Sequence, residues 1–164
     1  MKSKREKLNH DLLDSVIMRN RPDVQALLAQ GADVNARDQE HHQTSLMLAV
    51  SFPDVDMVRL LIGAGAEVDA RDDWGRTALF YTTVASEAFA VLLAAGANIH
   101  ARDKEGNTIL MRKVSESASL SDVEKLLQLG VDRSVGTEAG ETALDIAEKL
   151  GLLWLIQRLR MRAG

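Results

Sequence analysis

The 164-residue chain contains no cysteine. That excludes a disulfide framework, a thiolate metal site and a thiol nucleophile, and it fits a reducing compartment. Any apolar run long enough to span a membrane is also missing. The basic start Met1–Lys7 is followed by Leu8-Asn9-His10-Asp11-Leu12, not by the uninterrupted apolar core of a secretion signal. We therefore read the chain as soluble and cytoplasmic, with loss of an address segment as the alternative. An excess of positive charge is lacking too. Lys and Arg number 20 against 24 Asp and Glu, a formal net charge of −4, which argues against nucleic acid because phosphate binding needs a basic face. Neither a glycine-rich phosphate loop nor a His-Glu-x-x-His zinc helix occurs. Among the four histidines only His41-His42, flanked by Asp38 and Glu40, approach a metal-ligand cluster. Adjacent histidines in a polar turn do not define a closed coordination shell. The reading is no catalytic residue, no metal and no cofactor.

What the chain does have is a period. Gly-Ala at 31–32 returns at 65–66 and 96–97, and as Gly130-Val131, with glycines 34, 31 and 34 residues apart. A Thr-x-Leu unit recurs at Thr44/Leu46, Thr77/Leu79, Thr108/Leu110 and Thr142/Leu144, spaced by 33, 31 and 34. Two independent markers with one period identify a repeat array, in which no unit buries its apolar face alone.

Within each repeat the pattern predicts two antiparallel helices. Leu8, Leu12, Leu13, Val16 and Ile17 fall at helical spacing, after a charged leader over 1–7 expected to fray. Asn20 caps the next helix, Pro22 is tolerated in its first turn, and Gly31 ends it. First helices are expected over 45–51, 78–85, 109–116 and 143–149. Second helices are expected behind Asp54, behind Ser86, behind a capping box at Ser121–Glu124, and over 152–162. Trp154 is expected in the core of the last helix pair, Tyr81 in packing between repeats, and Phe52 turned inward by Pro53. Arg158, Arg160 and Arg162 are expected to favour the negative helix end and keep the outer face wet. Arg112-Lys113 predicts looser packing in the fourth repeat.

Thr-x-Leu opening a short helix, then a second helix ending in Gly-Ala-Asp-Val-Asn-Ala, then Asp-x-x-Gly-x-Thr, resembles the ankyrin repeat. The resemblance covers about 8–162. It implies an all-α solenoid of about five repeats, near 8–37, 38–71, 72–102, 103–136 and 137–164, forming one array over 8–164. The family's Thr-Pro-Leu-His-x-Ala box appears without its proline or histidine, as in Thr44-Ser45-Leu46-Met47-Leu48-Ala49. The turn glycine is kept at 75, 106 and 140 but is His42 in the second repeat, which questions that hairpin's geometry.

The resemblance implies a non-enzymatic module that grips a folded protein partner in a concave groove of hairpin tips and first-helix faces. Carried over by position, the tips are Glu40, His41 and Gln43, then Asp73, Trp74 and Arg76, then Lys104, Glu105 and Asn107; the helix faces offer Phe52 and Glu116. With two tryptophans and one tyrosine in the chain, Trp74 beside Arg76 has the composition of a binding anchor. The alternative is that its ring folds back over the neighbouring hairpin. The implied partner is another protein, with no nucleic acid and no membrane, and the chain is read as monomeric alone. Two other readings are open: a small bacterial-type immunity or antitoxin protein that neutralises a toxin enzyme, and a purely structural scaffold.

Overall fold

The computed structural model describes residues 3–116 and 119–161. Among them lie ten helices: α1 Lys4–Ile17, α2 Arg21–Ala29, α3 Ser45–Ala49, α4 Val55–Gly63, α5 Ala78–Tyr81, α6 Glu87–Ala94, α7 Ile109–Glu116, α8 Leu120–Gln128, α9 Ala143–Lys149 and α10 Leu153–Arg160. They group into two compact units. Met1–Thr82 with Ser86–Asn98 carries α1–α6, and Thr83–Ala85 with Ile99–Gly164 carries α7–α10. In the first unit α1 pairs with α2, α3 with α4 and α5 with α6; in the second α7 pairs with α8 and α9 with α10. β-Structure is confined to isolated bridges at hairpin stems, such as Arg37 with Thr44 and Arg102 with Thr108.

Local chemistry sets the helix ends. Asn20, Thr44, Asp54 and Ser86 each accept the backbone N–H three residues on, satisfying donors that the first turn leaves unpaired. At the other end Gly65 has φ +93°, a conformation that costs glycine nothing. It lets Ala66 N–H reach back to the Leu61 carbonyl at 3.0 Å. The polar run beyond then ties one repeat to the next. Asn9, Asn35 and Asp69 accept the backbone N–H groups of Asp33, Glu67 and Asn98 at 2.8, 2.8 and 3.0 Å. The box leucines Leu46, Leu79 and Leu110 are buried.

Several boundaries differ from the sequence reading. α1 starts at Lys4, inside the expected leader, because Ser3 and Glu6 form a capping box. α3 ends at Ala49, two residues before the expected Ser51. α5 is a single turn, because Thr82 leaves the helix in an extended conformation and its hydroxyl donates to the Leu79 carbonyl at 2.8 Å. α8 is capped by Ser119, not Ser121. Lys113 is buried, not loosely packed, 3.9 Å from Glu116, and burial pulls its ammonium below the ordinary lysine value.

The last helix departs furthest. Trp154 is 43% exposed, while Leu155 and Leu159 take the core positions expected of it. The solvent-facing side therefore carries Leu153 and Trp154. Arg158 pairs with Glu124 at 3.3 Å and Arg160 with Glu148 at 2.6 Å. Arg162 lies outside the described residues.

Candidate partner-binding surface

Each hairpin tip is organised by one acceptor at its base. In the second repeat the Asp38 carboxylate accepts the N–H groups of Glu40 and His41 at 3.0 and 2.7 Å. In the third, Asp72 accepts those of Trp74 and Arg76, both at 2.9 Å. In the fourth, Asp103 accepts those of Glu105 and Asn107 at 3.0 and 2.8 Å. These short-range bonds are the turn chemistry of aspartate.

His42 keeps the hairpin that its lack of glycine put in question. It adopts φ +54°, uncommon for a residue with a side chain. Two contacts hold it there. Its carbonyl accepts from the Arg37 guanidinium at 2.8 Å, and its imidazole Nδ1 lies 3.0 Å from the Asp73 carboxylate. Arg37 also donates to the Arg71 carbonyl at 2.6 Å, and Asp73 N–H donates to the His41 carbonyl at 3.1 Å. The two tips of the first unit are thereby clamped together.

Trp74 sits on that clamp. Its ring centroid is 4.5 Å from that of His41 at a tilt of 47°, and the Arg76 guanidinium lies 5.1 Å from it. With 38% of its surface exposed, the indole rests against the neighbouring hairpin and still offers a face to solvent.

Beneath the tip Tyr81 is half-buried, and its hydroxyl donates to the second oxygen of Asp72. Burial first, and then the Asp72 carboxylate, push the phenol up to about 12, while Gln43 and Arg76 pull in the opposite direction. Tyr81 thus anchors the hairpin by a hydrogen bond as well as by packing. Phe52 lies apart from this group, half-buried under the Arg19 guanidinium at 5.8 Å.

The structure therefore brings His41, Asp73, Trp74 and Arg76 into one cluster, with Gln43 beneath it and Glu40 exposed at its edge. Lys104, Glu105 and Asn107 share a tip in the second unit, where the Asn107 amide is spent on Asp103 and Glu105. Glu116, at the end of α7, pairs with Arg112. The Arg37 clamp and the Asp72–Tyr81 bond escaped the sequence reading. Arg37, Arg71 and Arg102 recur just ahead of the tips, a signal that could have found the clamp. Among the described residues no group of three or more metal-ligating side chains converges, and no helix is long and apolar enough to cross a membrane.

A family model described as Ankyrin repeats, in three copies, matches residues 13–103. Ankyrin repeat and SOCS box protein 6 of Homo sapiens is 37% identical over 81 residues, covering 48% of this chain and 19% of that protein. Neurogenic locus Notch protein of Drosophila melanogaster is 41% identical over 68 residues, 42% of this chain and 2% of that protein. Protein HOS4 of Saccharomyces cerevisiae is 43% identical over 54 residues, 33% of this chain and 5% of that protein. The chain thus spans less than a fifth of the length of each of these relatives.

Proposed function

The chain belongs to the ankyrin-repeat family, and from that premise we propose that it is a non-catalytic module that binds a folded protein through the hairpin tips of its first compact unit. Ankyrin repeats mediate protein–protein interaction. The observation that carries the placement is Trp74, half-exposed and held between His41 and Arg76. A tryptophan already fixed in one orientation loses little side-chain freedom on binding, so more of its buried apolar area appears as affinity. Anchors of this kind cost about 2 kcal/mol or more when truncated. Asp73 and Glu40 supply charge at the rim, which tunes association rate and partner choice more than affinity. Phe52 is a peripheral contact in this reading; for the second unit, taken by itself, the candidate contacts are Lys104, Glu105, Asn107 and Glu116. In this reading the chain needs no cofactor, binds neither nucleic acid nor membrane, and acts in the cytoplasm as a monomer until bound. A toxin enzyme held and neutralised by this surface is one such partner.

The test is affinity capture from the native lysate with wild type, Trp74→Ala and Trp74→Ala/Arg76→Ala, read by mass spectrometry, with circular dichroism establishing that each variant is folded. A protein retained by wild type and lost by both folded variants supports the placement. Equal capture by all three would move the site away from the tips.

A further inference from the structure

Helix α1 turns Glu6, His10, Leu13, Asp14 and Ile17, which fall on one helical face, towards the first hairpin across a cleft of about 800 Å³. That volume lies within the range of about 300–1,000 Å³ typical of ligand sites. The α1 wall is about 16 Å long at 1.5 Å per residue, three helical turns. Its apolar surface comes from Leu13, from Ile17, which is 48% exposed, and from half-buried Leu48 on α3. Carboxylates dominate the charge. Four of them line the cleft against one guanidinium, that of Arg37, whose Nη1 donates to the His42 and Arg71 carbonyls. Asp38 is committed to its own turn. Asp14 has the His10 imidazole at 3.8 Å, and Glu40 is exposed at the hairpin tip. Phosphate is repelled by this balance, and the described residues form no cluster that would hold a cation alone.

We propose that this cleft receives a basic amphipathic segment of the protein partner. Apolar side chains of the segment seat on Leu13, Ile17 and Leu48, while Lys or Arg side chains reach Asp14 and Glu40. The inference rests on the reading of the hairpin tips as a binding surface, because His41 lines the cleft on one side and touches Trp74 on the other. The two sites form a continuous strip within the first unit, with an aromatic anchor at one end and an acidic slot at the other.

The test uses the full chain and a fluorescently labelled synthetic peptide of Leu and Arg at amphipathic helical spacing, beside a counterpart with Glu in place of Arg. Anisotropy titrations compare wild type, Asp14→Asn/Glu40→Gln, Ile17→Ser, and Glu67→Gln/Glu87→Gln, which removes equal charge from the first unit at residues that do not line the cleft. Wild type should bind the Arg peptide and not the Glu peptide, more weakly as salt rises. Losing two rim ion pairs predicts weaker binding by up to about thirtyfold in Asp14→Asn/Glu40→Gln. Ile17→Ser should weaken binding as well. The control double neutralisation should stay within about twofold of wild type. No binding, equal binding of both peptides, or an equal loss in the two charge-neutralised variants would overturn the slot. If the slot fails while Trp74→Ala still abolishes capture of the native partner, the hairpin-tip surface stands without it.

Discussion

Asp72 offers the sharpest test of how the candidate surface is held in place. It is 6% exposed, and its carboxylate accepts three donors: two backbone N–H groups at 2.9 Å and the Tyr81 hydroxyl. Asp72→Ala strands all three at the base of the tip. At about 1 kcal/mol net for each lost bond, and with the amides partly recovering water, the variant should lose about 3 kcal/mol. That is a large share of the roughly 5–15 kcal/mol that keeps a domain folded. Asp72→Asn retains the oxygen facing the two amides and disturbs only Tyr81, so about 1 kcal/mol is expected. Asp38→Ala is the comparison. Asp38 also accepts two tip amides, but at a half-exposed site where water replaces the carboxylate, so about 1 kcal/mol should be lost. Urea titration followed by far-ultraviolet circular dichroism gives all three values.

A second readout makes the result specific. The chain has one tyrosine, so tyrosinate absorbance reports Tyr81 alone. In wild type it should titrate near 12, above the ordinary 10.0. Because the folded state holds the phenolic proton more tightly than the unfolded state, this group's stabilisation is complete below pH 10 and is lost as pH rises through about 12. Asp72→Ala should bring the midpoint down towards 10 without reaching it, since burial, the larger cause, remains. An unchanged midpoint together with less than about 1 kcal/mol of lost stability would refute the role given to Asp72. In that case Trp74 would need some other support.

Other consequences are quicker to check. Gly106 has φ +82°, and a Cβ there would lie 2.8 Å from the Arg102 guanidinium and 3.0 Å from Glu138 N. Gly106→Ala should therefore cost about 1–3 kcal/mol in thermal or urea unfolding, whereas open space around Gly140 predicts a smaller loss there. Ser119→Ala should cost about 1 kcal/mol and Ser121→Ala less than about 0.5, since Ser119 alone accepts the Asp122 amide; the reverse order would restore the cap predicted from sequence. In the last helix, Leu155→Ala should lose about 2–5 kcal/mol while Trp154→Gln stays within about 1. Chemical denaturation of the two variants side by side decides which residue belongs to the core.

The legible part of the candidate surface was its membership, not its geometry. Position within the repeat marked Trp74, Arg76, Asp73 and His41 as tip residues, and the structure gathers all four. It did not reveal that His41 lies against the indole, nor that His42 manages a left-handed conformation with Arg37 and Asp73 as props. The His41–Trp74 and His42–Asp73 contacts join residues about a full repeat apart, and no local spacing encodes them. Trp154 misled for the complementary reason. Its apolar character suggested burial, but burial depends on which face of α10 meets α9, and Leu155 and Leu159 occupy that face.

What the sequence by itself determined was everything set within a few residues. It placed the two-helix repeat, the caps at Asn20, Asp54 and Ser86, the glycine stops, and the absence of thiol chemistry. These depend on backbone donors, positive φ and apolar period, all of which act over one turn. Tertiary structure alone decided the rest: the grouping into two units, the clamp between neighbouring tips, and the acidic cleft between α1 and the first hairpin. Each of these arises where side chains distant in sequence compete for the same space or the same donor, and that competition is resolved only once the repeats are stacked.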